Sequence, residues 1–126
     1  MYGALKSKEN KLKNTDVLNF ALKAISDRHG EDTEVYDMQG VSILADYYVS
    51  TSAGSNRQLH AIANTIIDEA HKNDYTDYRI EGTKDSNWLL LDLGDVIVNI
   101  FTREARDFYN LEKLWANGKK MEIKED

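Results

Sequence analysis

Apolar positions recur at helical spacing in two long stretches and cluster into several short runs elsewhere. Leu18, Ala21, Leu22 and Ile25 fall three or four apart, which predicts a helix over residues 16–29. Asn14 or Thr15 can cap it, Asp16 sits at the positive end of its dipole, and Gly30 supplies a left-handed residue past its end. Leu59, Ile62, Ala63, Ile66, Ile67 and Ala70 form a second and stronger stripe, predicting a helix over residues 55–72. Between them, residues 33–38 and 46–52 are rich in aromatic and β-branched side chains and read as strands. A helical turn is expected over residues 41–45.

Beyond the second helix, residues 78–81, 88–92 and 96–101 read as strands. Only Leu93, Gly94 and Asp95 separate the last two, so they form an antiparallel hairpin. Their near-continuous apolar runs imply that both faces are covered. Residues 103–115, with Phe108, Leu111, Leu114 and Trp115, give a final helical segment. The order α-β-β-α-β-β-β-α describes an α/β (α+β) domain, a mixed sheet of about five strands flanked by helices. That single domain is expected over residues 14–116, between a flexible basic tail at 1–13 and a charged tail at 117–126.

Composition fits this picture. A chain of 126 residues with 41% hydrophobic and 30% charged residues is one ordinary globular domain. The absence of cysteine excludes disulfides and thiolate metal sites. No apolar run approaches the roughly 18 residues of a membrane span. Charge changes the picture more. The net charge is −6, but the four lysines and one glutamate of residues 1–13 carry +3 and residues 117–126 balance at zero, which leaves −9 on residues 14–116. Such a body is a poor general binder of nucleic acid and suits a basic protein surface.

Candidate chemistry is sparse. Gly54-Ser55, between a strand and a helix with Arg57 one step inside, is either an anion site or a plain turn with an N-cap. No lysine stands in the P-loop position and there is no GxGxxG pattern. Asp92 and Asp95 flank a tight turn, where they satisfy turn amides. Two-metal chemistry would want paired acids on a strand after the Gly-Ser start, and residues 78–81 have no such pair. His60 and His71 stand about 16 Å apart along one helix, so they cannot share a metal. Trp88 opens a strand just past a polar loop; spacing alone leaves open an interface anchor and a core tryptophan. Trp115, on an apolar helical stripe, reads as core.

Several runs resemble one known family. Leu44-Ala45-Asp46-Tyr47-Tyr48-Val49, then Ser52-Ala53-Gly54-Ser55-Asn56-Arg57-Gln58 and Ala61-Ile62-Ala63, resemble the ribosomal silencing factor, or Iojap-like, family. The resemblance returns at Glu81-Gly82, continues from Trp88 through Val98, and closes with Arg106-Asp107-Phe108-Tyr109-Asn110-Leu111-Glu112-Lys113-Leu114-Trp115. It covers residues 15–116. One departure is visible: Asn99 stands where the family usually has histidine, which puts any pH-dependent or metal role there in doubt.

The resemblance implies a repressor of translation and not an enzyme, on a nucleotidyltransferase-like fold without the catalytic acids. Family members bind large-subunit ribosomal protein L-fourteen on the face that meets the small subunit, and block subunit joining when nutrients are scarce. It further implies homodimers of the free protein, no cofactor or metal, no membrane or specific nucleic acid, and a bacterial cytoplasmic setting. In its family position Trp88 becomes the first contact residue. Leu90 and Asp92 share its strand face by the period of two, and Arg106 and Tyr109 are further contacts. Asp46, Ser55 and Arg57 match the family pattern and also have structural readings: a cap, a turn and a helix-start bond. Two competing functions are an assembly factor for the large subunit, and a nucleotide-binding enzyme holding phosphate at Gly54, Ser55 and Arg57.

Overall fold

A computed structural model describes residues 14–123; the basic segment 1–13 lies outside the described residues. The elements are α1 (Asn14–Asp27), β1 (Glu31–Asp37), β2 (Tyr47–Ala53), α2 (Asn56–Lys72), β3 (Arg79–Glu81), β4 (Trp88–Asp92), β5 (Val96–Thr102), α3 (Arg103–Tyr109), a 3-10 turn (Leu111–Trp115) and β6 (Lys119–Met121). They build one mixed sheet in the order β3-β4-β5-β2-β1-β6. Only β2 and β5 run parallel; every other neighbouring pair is antiparallel.

Both long helices cover the same face. From α1, Val17, Leu18, Ala21, Ala24 and Ile25 are buried, and from α2, Leu59, Ile62, Ala63, Ile66 and Ala70. They meet Val35, Val49, Leu89, Leu91, Val96, Val98 and Ile100 of the sheet in one core. The opposite face receives α3 and the 3-10 turn. There Trp115 packs edge-on against Tyr36 and Tyr48, with ring centroids 5.6 and 5.2 Å apart, so the core reading of Trp115 holds.

Local structure departs from expectation in five places. The first is the end of α1. The left-handed residue there is His29 (φ 61°), not Gly30. The amides of His29 and Gly30 donate to the carbonyls of Ser26 and Ile25 at 3.0 and 2.8 Å, which is a Schellman ending with histidine in the glycine position. Gly30 is needed for space instead: a Cβ there would press on the Ile25 side chain and lie 2.7 Å from Thr51 Oγ1. Second, residues 41–45 form no helix; the Val41 and Ser42 amides both donate to the Met38 carbonyl at 2.9 Å.

Third, residues 103–115 are not one helix. Asn110 adopts φ 48° and splits the segment into α3 and the 3-10 turn. Fourth, the sheet has six strands, because Lys119–Met121 adds to β1 as an edge strand. The domain therefore extends past residue 116 into the expected tail. Two adjacent lysines disguise the strand, yet lysine is a usual protector of a sheet edge. Gly118 lets the chain pass closely over β1, since a Cβ there would lie 3.0 Å from the Asp37 carbonyl. Fifth, β4 is covered on one face only: Leu89 and Leu91 are buried, while Trp88, Leu90 and Asp92 stay half-exposed.

The two residues after α1 can be told apart by stability. Gly30→Ala is expected to lower the unfolding free energy by about 1–3 kcal/mol through overpacking. His29→Gly is expected to be neutral or stabilising by up to about 1 kcal/mol, because it removes the strain of positive φ. Urea unfolding of both variants measures this; equal losses would contradict the assignment.

Candidate functional site

Strand register arranges the second sheet face in rows. One row runs Arg79, Asp92, Ile97, Tyr48, Tyr36 and Lys120 from β3 to β6. The next holds Glu81, Leu90, Asn99, Ser50 and Glu34, and a third holds Trp88, Phe101 and Ser52. The cover reaches the β1 side of these rows and stops. Trp88, Leu90, Asp92 and Ile97 are left half-exposed, beside an exposed Phe108 and Tyr109. The period of two thus places Trp88, Leu90 and Asp92 together, as expected.

Trp88 is held in one orientation. Its Nε1–H donates to Asn99 Oδ1 at 3.0 Å, on the neighbouring strand. Its ring stacks on Phe101 at 5.4 Å and 22°, and meets Tyr109 from α3 at 4.9 Å. Phe108 packs edge-on against Tyr109 at 5.2 Å. A buried asparagine amide satisfies the indole donor, so the ring can stay partly in water without an unpaired group beneath it. Asn99, Phe101 and Phe108 were not expected as part of this site. Phe101 and Asn99 were legible, because they lie opposite Trp88 and Leu90 across the hairpin; Phe108 joins only through the placement of α3.

Asp92 accepts from the Gly94 amide at 2.8 Å and pairs with Arg79 at 3.2 Å. It serves its turn and still presents charge beside Leu90. Arg106 is placed differently from Trp88. It is 9% exposed, and its guanidinium faces inward. Nη1 donates to Ser52 Oγ at 2.9 Å and to the Glu31 carbonyl at 3.4 Å, while Glu34 and Glu112 pair with it at 3.7 and 3.6 Å. Ser50 donates to the same Glu112 at 3.1 Å, and Lys120 closes on Glu34 at 2.7 Å. Arg103 adds a bidentate pair to Glu31 at 2.5 and 2.6 Å. This polar joint fastens α3, and with it Tyr109, to the sheet.

Two titrations follow from the joint. Burial pushes the Glu34 carboxyl up, but hydrogen bonds from Lys120 and Tyr36 and the charges of Lys120 and Arg106 outweigh it, leaving the group below its usual 4.5. The Tyr36 phenol is pushed up to about 12, by burial first, then by its hydrogen bond to Glu34 and the charges of Glu34 and Glu112.

The other family-motif residues lie away from Trp88. Ser55 is the N-cap of α2, accepting from the Gln58 amide at 3.1 Å, while Gln58 Oε1 accepts from the Gly54 amide at 2.7 Å. This is a variant of the capping box read from Ser-x-x-Gln, with the glutamine reaching back to the residue before the cap. It uses the Gly54 and Gln58 amides, two of those a phosphate at this helix start would need. Arg57 is exposed on the first turn and has no hydrogen bond or ion pair among the described residues. Asp46 enters β2, and its amide donates to the Asp95 carbonyl at 2.8 Å. His71 Nε2 meets the Tyr78 hydroxyl at 2.9 Å. Among the described residues no group of three or more His, Asp and Glu is arranged to hold a metal, and no helix is long and apolar enough to cross a membrane.

Fold and face together describe an α/β sheet domain with one face half bare, aromatic and flanked by acid. Residues 11–126 match the family model described as "Ribosomal silencing factor during starvation", and the chain belongs to that family. It is 41% identical over 101 residues to the ribosomal silencing factor RsfS of Bacillus subtilis, spanning 80% of this chain and 86% of the relative. It is 34% identical over 112 residues to that of Halalkalibacterium halodurans, spanning 89% and 96%. A crystal structure from Bacillus halodurans superposes with a TM-score of 0.77 at 34% identity, covering 87% of this chain and all of that one.

Removing the guanidinium leaves Ser52 without its donor and the partly buried Glu112 without its cation, so Arg106→Ala is expected to cost about 1–3 kcal/mol in urea unfolding. The joint also sets a pH window. Because Glu34 is depressed in the folded state, its contribution is present above about 4.5 and is lost as pH falls below it. Because Tyr36 is raised, its contribution is complete below 10.0 and is lost as pH rises towards about 12. Stability measured against pH should fall on both sides, and Glu34→Gln should flatten the acid limb. An unchanged acid limb would remove Glu34 from the joint.

Proposed function

We propose that the chain represses translation by docking on the large ribosomal subunit through the half-bare sheet face around Trp88, so that the small subunit cannot join. The observation that carries this reading is the fixed, half-exposed Trp88, flanked by Leu90, Tyr109 and Asp92 on the part of its face that α3 leaves uncovered. A large aromatic held by its neighbours loses little freedom on binding, which makes it an efficient anchor. The action requires no chemistry: a standard protein footprint of about 800 Å² per partner is enough to occupy a joint.

The partner proposed is ribosomal protein L-fourteen, on the face that meets the small subunit. An acidic body is attracted to a basic ribosomal protein and repelled by the surrounding RNA backbone, so electrostatics favours docking on protein. Of the expected contacts, Trp88, Leu90, Asp92 and Tyr109 are taken as direct. Arg106 acts as a positioning residue, since its guanidinium is committed to Ser52, Glu34 and Glu112. In the free protein the same face is the one available for a second copy, and the setting is the cytoplasm of a bacterium. Gly54, Ser55 and Arg57 are assigned a structural part, because the cap already uses the Gly54 and Gln58 amides.

The purified chain is expected to co-sediment with isolated large subunits at physiological salt and to lower the yield of joined ribosomes when small subunits are added. Trp88→Ala, verified as folded by its circular dichroism, is expected to bind about 30-fold more weakly or worse, as a central anchor should. Full binding by that variant would move the contact away from this face. No binding by the unmodified chain would overturn the docking itself.

A further inference from the structure

A second apolar surface lies apart from Trp88, in the loop joining β1 to β2. Val41 is 50% exposed, Leu44 71%, and Ile43 stands wholly in solvent. Three large aliphatic side chains within four positions are an unfavourable thing to leave in water, and such a patch marks an interaction site. The loop is braced to present them. The Val41 and Ser42 amides hold the Met38 carbonyl, the Leu44 amide donates to Ser42 Oγ at 3.1 Å, and Ser42 Oγ lies 3.3 Å from the Tyr48 hydroxyl. Tyr48 shares its row with Ile97 and Asp92 on the face that carries Trp88. The loop therefore continues the bare face beyond the end of the sheet.

Charge says what the loop can meet. Asp37, Asp46, Asp92 and Asp95 all lie at this end of β1, β2, β4 and β5. The Asp95 carbonyl accepts from the amides of Asp46 and Tyr47 at 2.8 and 3.0 Å, and the Asp46 carbonyl accepts from Met38 at 2.7 Å. Their field reaches two phenols. Burial first, then Asp37 and Asp46, push Tyr47 up; burial first, then Asp77, Asp95 and Asp92, push Tyr75 up. Among the described residues, these aspartates face Arg79, paired with Asp92, and Lys119, opposite Asp37 in register. An aliphatic knob in a negative surround fits a protein surface that offers an apolar recess flanked by lysine or arginine. It does not fit a nucleic-acid backbone, whose phosphates would face carboxylates.

We infer that the loop of Val41, Ile43 and Leu44 is a second anchor of the docking surface, seated on a basic, partly apolar protein surface; this rests on the ribosome-docking reading above. The chain has no cysteine, so Ile43→Cys gives a single thiol for a benzophenone crosslinker. With purified large subunits, illumination is expected to yield an adduct to a ribosomal protein that weakens as salt rises and vanishes with Trp88→Ala. Without any label, Ile43→Ser combined with Leu44→Ser is expected to weaken co-sedimentation at least tenfold while leaving the urea midpoint in place. An adduct to ribosomal RNA, or wild-type binding by the double variant, would overturn the second anchor and leave docking through Trp88 standing. Failure of the unmodified chain to bind large subunits would overturn both.

Discussion

A six-stranded sheet has two faces to shield from water, and the helices here are long enough for one. Helices α1 and α2 dry the middle of one face, with Leu59, Ile62, Ile66, Leu89, Leu91 and Ile100 fully buried between the layers. On the other face a seven-residue helix and a five-residue 3-10 turn must suffice. They reach β1, β2 and part of β5, touch β4 only at Trp88, and leave the rest of it bare. Trp88, Leu90 and Ile97 stay half-exposed because of this shortfall in cover.

How the short cover is attached explains the polar character beneath it. A seven-residue helix buries too little apolar surface to hold itself in place. The sheet offers Ser50, Ser52 and Asn99 at this place, small or polar residues that leave room for the Arg106 guanidinium and its carboxylates. The charges are partly buried but mutually paired, which gives the helix a defined position where an apolar contact would allow sliding. Fixing α3 fixes Tyr109, and Tyr109 with Phe101 and Asn99 fixes Trp88. Fold stability and readiness of the surface are thus linked through one ionic joint, whose acid and alkaline limits bound the pH range of both.

Much of this was legible residue by residue. The stripe from Leu59 to Ala70 determines α2, and Ser55 with Gln58 determines where it starts. The three-residue link at Leu93–Asp95 determines the β4–β5 hairpin, and the period of two puts Trp88, Leu90 and Asp92 on one side. The family pattern supplied the reading of that side as a contact surface. Other features were hidden for identifiable reasons. Lys119 and Lys120 conceal an edge strand because edge strands favour charge. Asn110 breaks a helix whose apolar spacing continues through it. His29 takes the left-handed position that Gly30 advertises, because Gly30 is needed against Ile25 and Thr51.

Local order, then, was set by the sequence through interactions that reach four or five residues: helical stripes, caps, tight turns and strand alternation. The sequence also determined the acidic charge of the body and, through its motifs, membership of the ribosomal silencing factor family. Tertiary structure decided which sheet face each helix covers, and so which apolar residues remain in water. It turned Arg106 inward, although an arginine on a short amphipathic helix reads equally well as a surface contact. It set Tyr109 of α3 against Trp88, and brought Val41, Ile43 and Leu44 beside a ring of aspartates drawn from separate strands. Those outcomes depend on strand order and on the parallel pairing of β2 with β5, contacts between residues about fifty apart, and no local pattern encodes them.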